Sequence, residues 1–132
     1  MELALDKNSS KILFSIAMEA ENRRMFADAD RIFSKAKAYG QKAQWNDTAE
    51  YACFLVRYAD ICIDTDRFAR AEELFKEAVQ IFCKLYGKDN LNTALAMRGL
   101  AEVMSKQGKQ LDADDLLACA RSSLSQYKAN AS

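Results

Sequence analysis

A segment that recurs every 42 residues constrains the fold of this chain more than any other feature. Residues 26–36 and 68–78 share the pattern F-x-x-A-x-x-[IL]-F-x-x-A, and residues 110–120 follow in the same register. The third copy lacks the first aromatic residue but keeps the small and apolar positions, which are Ala113, Leu116, Leu117 and Ala120. Self-similarity at a fixed period indicates a repeat architecture, in which each unit buries its apolar face against its neighbours.

The residues before each of these segments also repeat, with apolar side chains at positions i, i+3, i+4 and i+7. The three sets are Leu13, Ile16, Ala17 and Ala20, then Leu55, Tyr58, Ala59 and Cys62, then Met97, Leu100, Ala101 and Met104. This spacing places them on one face of an α-helix. Each unit is therefore predicted to be two amphipathic helices. We expect close helix packing where alanines face each other, namely at Ala17, Ala59 and Ala101 on the first helices and Ala29, Ala71 and Ala113 on the second.

The predicted fold is all-α, with three antiparallel helix–turn–helix hairpins and six helices in one domain spanning residues 1–132. The repeats cover approximately residues 5–46, 47–88 and 89–130. Composition agrees, because Pro is absent and Gly occurs only four times, whereas turns and strand edges usually require these residues.

Composition also bounds the function. Lys plus Arg equals Asp plus Glu at 19 each, and a nucleic-acid binder usually has a basic excess. No apolar run approaches the 18 residues of a membrane-spanning helix. The first residues lack a basic segment followed by a long apolar one, so we expect no secretory signal and a cytoplasmic location. The expected partner is therefore neither a nucleic acid nor a membrane.

The paired motifs L-x-x-[LIY]-A-x-x-[YACM] and [FY]-x-x-A-x-x-x-[FL]-x-x-A resemble the tetratricopeptide repeat, over roughly residues 9–128. The third unit, with its Gly108-Lys109 turn, is most similar. The long period is similar to that of kinesin light chains. The Pro that usually ends the second helix is replaced by Gln41, Cys83 and Ser125. The paired Asn of kinesin-type repeats is also missing.

The resemblance implies a right-handed superhelix that binds a peptide or a helix of a partner protein in a concave groove lined by the first helices. By register, the predicted groove residues are Phe14, Met18, Val56, Arg57, Asp60, Asp64, Leu95, Arg98, Glu102 and Lys106, with Glu21 and Cys53 beside them. Such a module would act as an adaptor, a scaffold or a chaperone-like protein. The positions that grip a carboxylate terminus in some relatives hold unsuitable residues here, among them Asp60 and Gly99.

An enzyme is not expected, because the chain has no His, no Gly-rich phosphate loop and no nucleophile motif. Asp60, Asp64 and Asp66 could together bind a cation or act as acid and base, although Asp66 is better explained as a helix N-cap. The four cysteines form no C-x-x-C pair, and we expect them to be small buried residues. No cofactor and no metal are predicted.

Local signals predict the helix ends. The first helix should start after Asn8-Ser9-Ser10, the second near Met25, the third after Asp47 in a capping box with Glu50, the fourth near Asp66, the fifth after Asp89 or Asn90, and the sixth after Gly108, running to about Lys128. Gly87 should end the fourth helix as a left-handed cap. Gly40 could end the second helix and leave residues 41–46 as a loop, but the unchanged period favours a helix that runs through it. We expect Trp45 to cover the junction between hairpins rather than to anchor a partner.

The two ends of the array differ. The last helix has one apolar stripe and polar residues on its other faces, which is typical of a capped, solvent-facing end. The first helix is apolar around most of its circumference, at Ile12, Leu13, Phe14, Ile16 and Met18. Either residues 1–5 fold back over it, or it pairs with another chain to form a homodimer. Self-association through this helix is the alternative function.

Overall fold

The computed structural model describes residues 7–131, and within them the backbone forms six α-helices and no strand. Their bounds are α1 Lys7–Asn22, α2 Phe26–Lys42, α3 Ala49–Asp64, α4 Phe68–Tyr86, α5 Leu91–Lys106 and α6 Gln110–Ala131. The helices pair as α1 with α2, α3 with α4, and α5 with α6. The all-α prediction of three helical hairpins is therefore confirmed. No helix in the described range is long and apolar enough to cross a membrane.

Small residues let the two helices of each hairpin approach closely. Ala17, Ala59 and Ala101 on the first helices are almost completely buried, as are their partners on the second helices, Ala29, Ala71 and Ala113. A larger side chain at these positions would push the helices apart and open a cavity. The repeated alanines therefore set the spacing of all three hairpins.

The first and second hairpins meet across a cluster of aromatic rings. Phe14 packs edge-to-face on Phe33 and Tyr51, with ring centroids 5.6 and 5.4 Å apart. Phe33 continues the cluster to Tyr58, at 4.8 Å. Trp45 is only 4% exposed and lies 5.3 Å from Tyr51, so it covers the junction between hairpins as predicted.

The second and third hairpins are closer together. The backbones of α4 and α5 are in extensive contact. Gly99 permits this approach, because a Cβ atom there would lie 2.4 Å from Cε1 of Phe75. Gly40 has a related role between the first two hairpins, where a Cβ would lie 3.2 Å from both Oγ of Ser10 and Cε2 of Tyr51. The second helix runs through Gly40, as expected.

One predicted helix start and two predicted N-caps are wrong. α1 already includes Lys7, so Ser9 and Ser10 lie inside it, and Ser10 donates its hydroxyl to the Ala36 carbonyl oxygen at 2.7 Å. The N-cap of α3 is Thr48 rather than Asp47, and its hydroxyl accepts a hydrogen bond from the backbone nitrogen of Tyr51. α4 starts at Phe68, two residues beyond Asp66, without a side-chain cap.

The turn inside each hairpin needs one residue with positive φ. Arg24, Asp66 and Gly108 occupy this place, at φ values of 61°, 63° and 80°. The equivalence of these three positions follows from the 42-residue period, but Asp66 is a turn residue and not an N-cap. Gly87 ends α4 with φ 80° and ψ 175°, so it is a positive-φ cap but not a left-handed helical one.

The remaining helix ends and faces agree with expectation in part. Asn90 caps α5 by accepting a hydrogen bond from the backbone nitrogen of Asn92, and α6 runs beyond Lys128 to Ala131. The polar residues predicted to face solvent on α6 are exposed, except Ser123, which is buried. The proposed fold-back of residues 1–5 lies outside the described residues.

The cysteines behave differently from one another. Cys62 is completely buried, and this burial raises the pKa of its thiol to about 12. It is the small core residue that was expected. Cys53 and Cys119 are exposed and Cys83 is partly buried, so the expectation of burial is wrong for the exposed pair.

Candidate functional site

A cavity of about 640 Å³ opens between α3 and α5, with contributions from α4 and α6. Six of the ten predicted groove residues line it, namely Val56, Asp60, Leu95, Arg98, Glu102 and Lys106. We call this surface the groove.

Helical spacing brings these side chains to one surface. Val56 and Asp60 are four residues apart on α3, and the α5 residues follow each other at intervals of three or four. Residues three or four apart lie on the same side of a helix, roughly 5–6 Å from each other. The floor between the helices is apolar, because Phe75 and Leu117 reach it from α4 and α6. The groove therefore combines an apolar floor with charged walls.

Two further predicted residues lie outside the cavity lining. Arg57 is exposed, and its guanidinium carbon lies 5.2 Å from the ring centroid of Phe54. Asp64 is exposed at the end of α3. Both remain accessible, but neither forms part of the cavity wall.

Phe14 and Met18 are not surface residues. Phe14 is 0% exposed and Met18 is 7% exposed, because the aromatic cluster between the first two hairpins covers them. Glu21, one turn further along α1, is also 0% exposed. The expectation that these α1 residues line an open groove is wrong, and so is any self-association surface that includes Phe14 or Met18.

Carboxylates lie near one another at the acidic part of the groove wall. Partial burial raises the pKa of Asp60 above its ordinary value, and the nearby carboxylates of Glu102 and Asp64 raise it further. No cation within residues 7–131 forms an ion pair with Asp60 or Glu102. A positive charge supplied from outside would relieve this repulsion.

The same wall of the groove also carries basic side chains, which come from α5. Arg98 and Lys106 flank Glu102 at intervals of four residues, and both line the cavity. Lys106 lies 5.9 Å from the ring centroid of Phe68, a contact that exposed groups make weakly. Along α5 the groove thus presents an apolar, a basic, an acidic and a basic side chain in turn.

The acidic residues predicted to bind a cation or to act as acid and base are spread over α3 and the turn that follows it. Among the described residues, no group of three or more Cys, Asp or Glu side chains could hold a metal ion. Asp66 lies in the turn after α3 rather than beside Asp60.

One buried network was missed by sequence reasoning. Glu21 accepts two hydrogen bonds from Arg67, both at 2.9 Å, one from the hydroxyl of Tyr58 at 3.2 Å and one from the hydroxyl of Thr65 at 3.1 Å. Arg67 also pairs with Asp30. These carboxylates, Glu21 first, raise the pKa of Arg67 still further.

The same contact recurs one period later. Lys109 pairs with Glu72 at 2.9 Å, and these residues lie 42 positions after Arg67 and Asp30. A basic residue before each of these second helices therefore pairs with an acidic residue of the preceding unit. The repeated charges were visible in the sequence, but only the stacked units show that they face each other.

Comparison with known protein families identifies the family of this chain. The sequence profile of the tetratricopeptide repeat matches residues 50–126, which is more than half of the chain. The chain belongs to the tetratricopeptide repeat family. No match is found among curated proteins. The profile covers the second and third tetratricopeptide units, and the first joins them through the 42-residue register and the shared network around Arg67.

Members of this family generally mediate protein–protein interactions and are typically not enzymes. Protein binding by a helical repeat is thus the general role that the family assigns.

Proposed function

We propose that this tetratricopeptide domain binds an extended peptide of a partner protein in the groove between α3 and α5, as an adaptor, a scaffold or a chaperone-like module. The observation that carries the proposal is the cavity whose wall holds Asp60 and Glu102, neither of which forms an ion pair with a cation of residues 7–131. We further place the chain in the long-period, kinesin-light-chain-like variety, because its units repeat every 42 residues. Under this proposal the chain is not an enzyme, and it acts in the cytoplasm.

The positions that carry the paired Asn of kinesin-type repeats differ here, however. They read Val56-Arg57 in the second unit and Arg98-Gly99 in the third. We therefore do not transfer the cargo chemistry of those relatives. The ligand is inferred from the side chains that line this groove.

The chemistry of the walls defines the peptide. Its basic side chain would lie between Asp60 and Glu102, where it would form charge-assisted hydrogen bonds. An acidic side chain would meet Arg98 or Lys106, and an apolar side chain would cover Val56 and Leu95. A peptide that lacks the basic residue would leave the repulsion between Asp60 and Glu102 uncompensated.

The spacing of the groove residues is compatible with an extended peptide. Groove residues on α5 follow each other by one turn, roughly 5–6 Å apart. Alternate side chains of an extended chain are separated by about 6.6 Å. Side chains two apart in an extended peptide can therefore contact successive side chains of α5.

The experiment selects ligands without assuming which protein is the partner. A random peptide library displayed on phage is panned against the full chain, and enriched peptides are synthesised and titrated calorimetrically. We expect enrichment of a basic residue next to an apolar one. Losing a charge-assisted hydrogen bond costs about 1.5–3 kcal/mol, so Asp60→Asn and Arg98→Glu should each weaken binding by roughly ten- to hundredfold.

Arg121→Glu is the matched control, because it makes the same charge reversal on exposed α6 surface outside the cavity. Circular dichroism confirms that each variant remains helical. Enriched peptides that bind the groove variants and the wild type equally well would refute the proposed site.

A further inference from the structure

The outer face of the first hairpin carries a second, mostly apolar cavity of about 410 Å³. Ile16 and Ala20 of α1, Met25 of the turn and Ile32 of α2 form its apolar lining. Ile16 and Met25 are 47% and 48% exposed, which is high for side chains of their size. We call this surface the head face.

The 42-residue register shows what covers the equivalent surface elsewhere. Ile16 corresponds to Tyr58 and Leu100, which are 0% and 5% exposed. In the second hairpin this face packs against the first, as the contact of Tyr58 with Phe33 shows. The head face is therefore the stacking face of a repeat unit, and no described residue of this chain covers it.

The opposite end of the array offers the complementary surface. Leu117 of α6 occupies the position of Phe33 and Phe75, both buried against a following hairpin, but Leu117 is only partly buried. Asp114 occupies the position of Asp30 and Glu72, each of which pairs with a basic residue of the following hairpin. We call the surface around Asp114 and Leu117 the tail face.

The charges of the two faces match only through a different position, because Met25 stands where Arg67 and Lys109 stand in the other units. Glu72 accepts a hydrogen bond from Gln107 at 2.9 Å, and the residue of the first unit equivalent to Gln107 is Arg23. Stacking two copies in the same register would therefore bring Arg23 of one to Asp114 of the other. Arg23 now pairs with Glu19 on the surface at 2.8 Å, and exposed pairs of this kind are weak and easily exchanged.

We propose that the head face binds the tail face of a second copy of this chain, so that the repeat stack continues across the junction. The contact is heterologous, because two different surfaces meet, and it leaves one free head and one free tail after each addition. The assembly therefore grows with concentration instead of stopping at a symmetric dimer. The tail face adjoins the groove at Leu117, but the inference does not depend on what the groove binds.

The test measures molecular mass by light scattering and sedimentation over a range of protein concentrations, using the full chain. The wild type should pass from monomer to dimer and larger species at high micromolar concentration. Ile16→Glu removes the head face, and Asp114→Arg places a like charge opposite Arg23. Each should raise the dissociation constant at least about tenfold.

Mixing the two variants decides the orientation. The Ile16→Glu chain keeps its tail and the Asp114→Arg chain keeps its head, so together they should form a one-to-one dimer and nothing larger. Asp115→Arg is the matched control, because it makes the same charge change on the neighbouring exposed residue. It should assemble like the wild type.

Three outcomes would overturn the proposal. One is a wild-type chain that stays monomeric throughout the concentration range. Another is the finding that the Asp114→Arg and Asp115→Arg variants self-associate with the same dissociation constant. The third is an Asp114→Arg variant that still forms full dimers alone while Ile16→Glu does not, because that result would indicate symmetric head-to-head pairing. Circular dichroism of each variant checks that the helices are intact.

Discussion

Replacing Arg67 by Met should destabilise the junction between the first and second hairpins severely. The change removes both hydrogen bonds of the guanidinium to Glu21, whose carboxylate is 0% exposed. Glu21 would retain only the neutral hydroxyl donors of Tyr58 and Thr65. A Met side chain preserves most of the packing of the Arg stem, so the variant isolates the loss of charge.

The magnitude follows from the burial of the two partners. Breaking a buried ion pair by removing one partner costs about 3–5 kcal/mol. Arg67 is 23% exposed, so water partly compensates and the lower end of this range applies. Losing its stacking on Phe26, at 4.6 Å, adds roughly 0.5 kcal/mol. We expect a total of about 3–4 kcal/mol, a large share of the roughly 5–15 kcal/mol that stabilises a typical domain.

Urea denaturation followed by two probes measures this loss. Far-ultraviolet circular dichroism reports on all six helices, whereas the fluorescence of Trp45, the single Trp, reports on the affected junction. The midpoint of both transitions should fall, and the Trp45 transition should fall at least as far.

Two companion variants separate charge from packing. Lys109→Met changes the equivalent residue of the next junction, where Glu72 keeps Lys76 and Gln107 as partners, so it should cost at most about 1 kcal/mol. Adding Glu21→Gln to Arg67→Met removes the stranded charge and should recover most of the loss. If Arg67→Met and Lys109→Met both lose little stability and by similar amounts, the hydrogen bonds around Glu21 do not stabilise the packing of the first hairpin on the second.

Three other predictions follow from particular contacts. Hydrogen bonds from Lys109 and, to a smaller extent, from Lys76 lower the pKa of Glu72 to about 2. The ionised carboxylate therefore stabilises the fold above its unfolded pKa of 4.5, and this stabilisation is lost as the pH falls toward 2. In acid unfolding, Glu72→Gln should lose less stability than the wild type over that pH range, and an unchanged curve would contradict this. Gly99→Ala should cost about 1–3 kcal/mol in thermal or urea unfolding because its Cβ would overlap Phe75, and wild-type stability would refute the close approach. At pH values above the raised pKa of Asp60, Asp60→Asn should increase the free energy of unfolding by at most about 1 kcal/mol, because it removes the repulsion between carboxylates. At low pH, where Asp60 is protonated, the variant should gain nothing. A loss of stability at neutral pH would contradict this sign.

The fold was accessible from the sequence because the alanines and apolar residues repeat in phase. Ala17, Ala59 and Ala101 identified the hairpins, and the period alone related Arg24 to Asp66 and Gly108 in the turns. Helix starts were less accessible, because short polar residues cluster before several helices and more than one could cap each of them. Thr48 rather than Asp47 caps α3 by a one-residue difference that the sequence pattern does not resolve.

The groove was predictable only where neighbouring units are alike. Val56 and Arg98 share a register position with Phe14, but Phe14 faces the aromatic cluster that Trp45 and Tyr51 complete. Register identifies a face of a helix, whereas the side chains of the next unit decide whether that face is open. The available signal was that Phe14, a large aromatic residue, stands at the position where the third unit carries the charged Arg98; such a residue is more often buried.

Site-specific photocrosslinking in cells of the source organism tests the central claim most directly, because it captures whatever occupies the groove. A photoreactive amino acid replaces Leu95, which lines the groove and is 41% exposed. In a second variant it replaces Leu85, which is 44% exposed and does not line the cavity. The groove account predicts one or a few defined protein adducts at position 95, lost on adding Arg98→Glu, and none of these at position 85. The same adducts at both positions, or adducts at position 95 that persist with Arg98→Glu, would contradict it.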